Sequence, residues 1–345
     1  MRILAIDIGA GTQDILLFDS EQKAENCISL VLPTPSKFIA EKLKTIEGPV
    51  YIHGDTIGGG SLGGAILDHL QKGYPVVMEE SAAYSIRNDL DEVKSMGIGV
   101  GKKPAAETFQ ELDIREIDLV LFERFLGHFG ENLRVDVIAI AVQDHGVSPK
   151  AVSDRAFRFE NMERMLRRDN RPETFHFLED AIPGHYLRMR SAVAAVKRSF
   201  AVPVLVMDTA FSAILGCLEE TSGPSLVVNV GNSHTIAALI MERRIEGLYE
   251  HHTHELTPEK MEHDLRLFVR GGLEGRRVFN ENGHGAVTLK PLPEVFSVVV
   301  TGPNRDLFKK TSFKFVFAAP GGNTMMTGPM GLVRAAQYRF ARGES

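Results

Sequence analysis

Two short glycine turns occupy matching places in the two halves of the chain, and few folds accommodate that duplication. The first, Asp7-Ile8-Gly9-Ala10-Gly11-Thr12-Gln13-Asp14, is entered from the apolar run Ile3-Leu4-Ala5-Ile6. The second, Asn229-Val230-Gly231-Asn232-Ser233-His234-Thr235, is entered from Leu226-Val227-Val228. Each reads as strand, tight turn, strand, with Gly where a positive φ is expected. A turn of this kind presents backbone N–H groups with no Cβ in the way, which suits close approach to phosphate oxygens. A carboxylate or amide just before the turn can hold a metal ion or its waters. One such turn would read equally well as a plain hairpin capped by Asp7. Two, each opening a similar run of elements, point to a split nucleotide-binding site.

The element order supports that duplication. The first half reads as strands over residues 2–8, 15–18 and 28–32, a helix over 36–46, a strand over 50–52, and a helix opened by the glycine-rich run Gly58–Gly64. A short strand at 75–78, an insertion over 80–115, a helix over 118–129 and a continuous apolar strand over 135–142 follow. Residues 150–185 are polar and Arg/Glu-rich and read as helical excursions and loops around a cleft, leading to a helix over 187–200, a strand over 204–207 and a helix over 211–218. The second half opens in the same order, with strands over 226–230, 235–241 and 245–249 and a helix over 258–269. Strands over 296–300 and 313–317 and a closing helix from about Met330 complete it. The repetition lies in the pattern of elements and not in residue identity.

At 345 residues the chain is long enough for two domains with separate cores, expected over residues 1–200 and 201–345. A hydrophobic content of 43% with 24% charged residues places it among folded globular chains. The net charge of −6 gives no electrostatic reason to expect a nucleic acid or anionic membrane as partner. No apolar run approaches the ~20 residues needed to span a bilayer. Met1 leads straight into the first strand without a signal-peptide core, and two cysteines, Cys27 and Cys217, suit a reducing cytoplasm. Both read as small buried apolar residues.

Several further clusters are candidates for chemistry. Asp208 stands at a strand end entering a helix, in Asp208-Thr209-Ala210-Phe211-Ser212-Ala213-Ile214-Leu215-Gly216. It reads as a helix N-cap, as a general base, or as both. Gln143-Asp144-His145-Gly146 follows the apolar strand, where ligands gather in open α/β sheets. The run Gly58–Gly64 either presents a helix N-terminus to an anion or is a flexible turn. His251, His252, His254, His263 and His284 are unusually dense; His252-Thr253-His254-Glu255 could supply metal ligands from one strand face and the Gly283-His284-Gly285 loop a further one, but solvated surface histidines are the simpler reading.

These residues carry a resemblance. The two glycine turns are similar to the phosphate motifs of the actin, sugar kinase and heat-shock chaperone ATPase superfamily, and the resemblance covers nearly the whole chain. It implies an α/β fold of two ribonuclease-H-like domains, a duplicated βββαβαβα, with ATP and Mg held in the cleft between them. It further implies that Asp7 and Asp14 serve the metal, and that Gly9, Ala10, Gly11, Thr12 and Gln13 face Gly231, Asn232 and Ser233 around the phosphates. Asn229 stands where the family often has Asp, which removes one negative charge from the metal side. Thr301-Gly302-Pro303-Asn304 and Ala319-Pro320-Gly321-Gly322-Asn323 resemble the adenosine pocket, with Gly302, Asn304, Gly321 and Gly322 as its candidates. The Asp208 segment resembles that of glycerol- and xylulose-type kinases, whose Asp is the catalytic base.

Within the superfamily, the Asp7–Asp14 turn, His53-Gly54-Asp55-Thr56-Ile57-Gly58-Gly59-Gly60, the Gln143–Gly146 cluster and Gly283-His284-Gly285 resemble a prokaryotic family labelled "putative pyruvate formate-lyase activating enzyme". A radical activase of that kind holds an iron–sulfur cluster on three clustered cysteines, and this chain supplies two, far apart in sequence. Two readings remain. One is a phosphotransferase or ATPase acting on a small molecule, with Asp208, or Asp144 and His145, as its catalytic groups. The other is a nucleotide-gated module that binds or reactivates a protein partner.

Overall fold

The computed structural model describes residues 1–105, 108–292 and 294–341. Its strands, in chain order, are β1 (Arg2–Ile8), β2 (Thr12–Asp19), β3 (Ile28–Pro33), β4 (Val50–Gly54), β5 (Val76–Met78), β6 (Gly99–Val100), β7 (Gln110–Ile114) and β8 (Val137–Val142). They continue as β9 (His176–Leu178), β10 (Val204–Met207), β11 (Ser225–Val230), β12 (His234–Met241), β13 (Arg244–His252), β14 (Gly285–Thr288), β15 (Ser297–Thr301) and β16 (Val316–Phe317).

Two sheets share one plan. In the first, ordered β3-β2-β1-β8-β10-β9, an antiparallel β1–β3 meander is extended by β8 parallel to β1 and β10 parallel to β8. In the second, ordered β14-β13-β12-β11-β15-β16, a β11–β13 meander is extended by β15 and β16 in the same parallel sense. Each sheet therefore carries the ribonuclease-H-like order, with one added edge strand, β9 or β14. The equivalence reaches single residues: Asp7 pairs with Asp14 across the first hairpin as Asn229 pairs with Ile236 across the second. The fold is the duplicated α/β arrangement that the glycine turns imply.

The central strands are apolar because both of their faces are covered. All six residues of β8 are buried. One core is shared by the facing surfaces of the two sheets, with the helices Thr209–Cys217 and Thr327–Phe340 sandwiched between them. These helices touch backbone to backbone. A Cβ on Gly216 would lie 1.8 Å from the Thr327 carbonyl oxygen, and one on Gly331 would lie 1.9 Å from that of Ser212. The outer face of the first sheet is closed by the helices Leu119–Gly127 and Leu187–Lys197, and that of the second by Pro258–Val269.

The structure departs from the sequence reading in several places. Val204–Met207, past the expected boundary at residue 200, completes the first sheet through its pairing with β8. Residues 50–114 form a separate parallel sheet, β6-β5-β4-β7, with a core of its own that includes Ile52, Leu62, Ile66, Val93 and Leu112. Bidentate bonds of 2.8 and 2.9 Å from Arg198 to the buried Asp55 fasten this insertion to the first half. The closing helix starts at Thr327, ahead of Pro329, since a missing N–H costs no helical bond in the first turn. Among the described residues, no helix is long and apolar enough to cross a membrane.

Candidate functional site

Both glycine turns open onto one cleft of about 480 Å³. Each turn is closed in the same way: Gly9 donates its N–H to the Thr12 carbonyl at 2.9 Å, and Gly231 donates to the His234 carbonyl at 3.0 Å. The turns meet tip to tip, since a Cβ on Gly11 would lie 2.3 Å from Nδ2 of Asn232. None of Gly9, Gly11 and Gly231 adopts the positive φ expected from the sequence. Crowding calls for glycine at Gly231, where a Cβ would lie 2.6 Å from the His234 carbonyl oxygen, whereas at Gly11 the obstacle is the movable end of the Asn232 side chain. Positive φ appears instead at Gly302, at 97°, where a Cβ would also strike the Val230 carbonyl at 2.4 Å.

The acidic pair of β1 and β2 sits beneath the first turn. Asp7 is half-buried with its Oδ1 shut away from solvent, and its carboxyl is held well above the usual range by desolvation first, then by the charges of Asp14 and Asp208, with Arg188 opposing. Burial likewise pushes Asp14 up to about 6, against a lowering hydrogen bond from Thr12. Oδ1 of each is buried without a hydrogen-bond partner. Gly328, at the start of the closing helix, presses on Asp7 so closely that a Cβ there would lie 1.8 Å from Oδ2.

Behind the cleft lies a charge network that sequence reasoning missed. Arg158, from the helix Asp154–Arg168, is 3% exposed. Its Nε donates to both carboxylate oxygens of Glu250 at 3.0 Å, Nη1 donates to Asp208 and to the Asp144 carbonyl, and Nη2 donates to Asp208 and Glu250. Asp208 also accepts from the backbone of Ala210 and Asp144, so its oxygens receive four hydrogen bonds. Asp144 accepts two, from the N–H groups of Gly146 and Met189, and burial raises its carboxyl. Arg188 was also missed. It reaches into the cleft while donating to the buried Glu116 and to the Gln143 carbonyl at 3.0 Å. An isolated Arg in a polar segment gives no local sign of burial; only the carboxylates it meets identify it.

The sequence-derived candidates divide by position. Asp7, Gly9, Ala10, Gly11, Thr12, Asp14, Asp144, His145, Gly231, Asn232, Ser233 and Gly302 line the cleft, and Gly58, Gly59 and Gly60 join them from the insertion. Gln13, Asp208, Asn304, Gly321 and Gly322 are outside its lining. Gln13 donates to the Pro33 carbonyl, while Asn304 donates to the Gly231 carbonyl at 2.9 Å and so braces the second turn. Near Gly321 and Gly322 it is Thr324 and Met325 that reach the cleft. The dense histidines are not uniformly solvated: His251 and His284 are buried, at 0% and 2% exposure. Cys217 is fully buried as expected, whereas Cys27 is half-buried.

No protein of curated function matches the chain. Among solved structures it is similar to the inorganic polyphosphate/ATP-glucomannokinase of Arthrobacter sp. strain KM, at 12% identity over 99% of each chain with a TM-score of 0.36. It is similar to the activator of the 2-hydroxyisocaproyl-CoA dehydratase from Clostridium difficile with bound ADPNP, at 7% identity over 100% of this chain and 99% of that one, with a TM-score of 0.35. A Bacteroides thetaiotaomicron protein with an actin-like ATPase fold and unknown function aligns at 9% identity over 95% of both chains, with a TM-score of 0.38. At these scores the fold assignment rests on the strand order described above. A family model matches residues 57–307, most of the chain, and the chain belongs to the family described as "Putative pyruvate format-lyase activating enzyme (DUF1786)".

Proposed function

We propose that the cleft binds a nucleoside triphosphate, ATP by its resemblance, together with Mg, and serves phosphoryl transfer to a small molecule or ATP hydrolysis. One observation carries the reading: two turns closed by the same N–H···O bond meet across one cleft, above a carboxylate pair with unpartnered oxygens. Oxygen donors of this kind suit a hard cation, and two adjacent carboxylates, each with one buried oxygen, call for one. Asp7 and Asp14 would hold Mg or its waters; when bound, the cation offsets phosphate charge. The backbone N–H groups of both turns other than those of Gly9 and Gly231, which close the turns, would take phosphate oxygens, and Arg188 adds a fixed positive charge. Thr301-Gly302-Pro303 and Thr324-Met325 supply the nucleoside end of the cleft.

In this reading Asp144 is the general base and Asp208 a positioning residue. A base needs a lone pair free for the proton of the attacking group. The four hydrogen bonds on Asp208 occupy it, whereas Asp144 accepts two and lines the cleft. Iron–sulfur radical activation does not fit a chain with two cysteines. Calorimetry with Mg·ATP and Mg·ADP, followed by phosphate release against a metabolite panel, tests the proposal. Failure of every nucleoside triphosphate at millimolar level would overturn it.

A specific observation favours the module reading. Leu121, Phe125 and Phe129 recur every fourth residue and are 63%, 43% and 72% exposed, an apolar stripe suited to a protein partner. Nucleotide-dependent capture of a protein, with no turnover on any metabolite, would select that reading over the enzyme.

A further inference from the structure

Three imidazoles converge on one side of the cleft from remote parts of the chain. His145 follows β8 in the first half, while His234 opens β12 and His284 precedes β14 in the second. Their ring centroids are 5.3 Å (His145–His234), 5.6 Å (His145–His284) and 4.7 Å (His234–His284) apart. One nitrogen from each lies within 4.8 Å of the other two. His252 flanks the group, its ring 4.8 Å from those of His234 and His284.

Packing alone does not account for this arrangement. His284 is 2% exposed, yet neither of its ring nitrogens has a hydrogen-bond partner, and Nε2 of His234 is likewise buried and unpartnered. Buried polar atoms are nearly always paired, so unpartnered nitrogens gathered within 4.8 Å of one another mark a place for a ligand. We propose that His145, His234 and His284 bind one divalent transition-metal ion of the zinc type, leaving an open coordination position toward the cleft that His145 and His234 line.

The chemistry of the surroundings agrees. Three neutral nitrogen donors select a borderline ion and disfavour Mg, which prefers oxygen, so this site is distinct from Asp7 and Asp14. Burial keeps all three imidazoles neutral, the form that ligates. Nδ1 of His234 meets the Gln143 side-chain amide at 2.7 Å, leaving Nε2 for the metal. Ligation through Nε2 turns the amide oxygen of Gln143 toward the Nδ1 proton. Glu250, fully buried and one of the charges felt by His145 and His234, supplies negative charge nearby while bound to Arg158. Zinc–nitrogen bonds of ~2.0–2.1 Å place tetrahedral ligand atoms about 3.3 Å apart, so the rings draw inward on binding. Because the ligands come from both halves, the metal would cross-link the cleft.

The test uses the full chain stripped with a chelator and titrated with Co²⁺, whose visible absorption reports nitrogen coordination. One Co²⁺ per chain, displaced by Zn²⁺ and not by Mg²⁺, is expected, with a rise in melting temperature. His284→Ala and His145→Gln should each weaken binding at least tenfold, with folding checked by circular dichroism; His145 is only half-buried, so its variant keeps the test open if His284→Ala does not fold. His254→Ala, at an exposed position outside the trio, should bind as the parent does. No Co²⁺ binding at micromolar free metal would overturn the proposal. So would binding that survives both substitutions, or that is lost with His254.

Discussion

The guanidinium of Arg158 holds both carboxylate oxygens of Asp208, at 2.7 and 3.0 Å, and in the same plane of donors holds Glu250. Asp208 directly follows the last parallel strand of the first sheet and caps the helix Thr209–Cys217, and Glu250 lies on β13 of the second. One buried cation therefore ties the two halves together behind the cleft, and every N–H of its fork is used.

Removing that cation should be costly. Breaking a buried, hydrogen-bonded ion pair typically loses ~3–5 kcal/mol, because the remaining charges stay buried. Arg158→Met is expected to lose about that much in denaturant unfolding, and Arg158→Lys should not restore it, since an ammonium cannot reproduce the planar fork. A loss under about 1 kcal/mol would show that the network relaxes into water.

Asp144 and Asp208 should separate by readout. Asp144→Asn is expected to lower phosphoryl turnover by ~10²–10⁴-fold with nucleotide affinity nearly unchanged, as for a positioned base. Asp208→Asn should chiefly lower the melting temperature, through its lost partner Arg158. A larger loss of turnover in Asp208→Asn than in Asp144→Asn, at equal stability, would reverse the assignment.

Asp7→Asn has opposite effects on two measurements. Ionised Asp7 is unfavourable in the metal-free fold because burial and the neighbouring charge of Asp14 oppose it. Neutralising it should leave the metal-free melting temperature unchanged or raise it, while Mg-dependent stabilisation by ATP disappears. Destabilisation of the metal-free protein with nucleotide binding intact would place the cation elsewhere.

Two glycine substitutions probe different contacts. Gly11→Ala meets the end of a side chain, Asn232, so it should weaken nucleotide binding, with rescue in Gly11→Ala/Asn232→Ala. Gly216→Ala meets a carbonyl oxygen of the facing helix, which cannot rotate away. It should cost ~1–3 kcal/mol or more, as overpacking does, and urea melts would measure it. Equal stability of Gly216→Ala and the parent would contradict the close helix contact.

What the chain specifies locally was legible in its sequence. The turns at Gly9 and Gly231 and the apolar runs feeding them depend on neighbours in sequence, so the duplicated sheet order could be read directly. The sheet of the insertion was legible only in part: the runs at 50–52 and 75–78 became β4 and β5, but β6 has two residues and no periodicity, and nothing local marks that β7 joins the same sheet. The histidines of β13 misled for a related reason: that strand is covered on both faces, so alternation does not separate core from solvent. Only tertiary structure decided that Arg158 meets Asp208 and Glu250, and that His145, His234 and His284 converge. Those partners are separated by tens of residues, and a side chain's charge or basicity acquires its role from what burial places within a few ångströms of it.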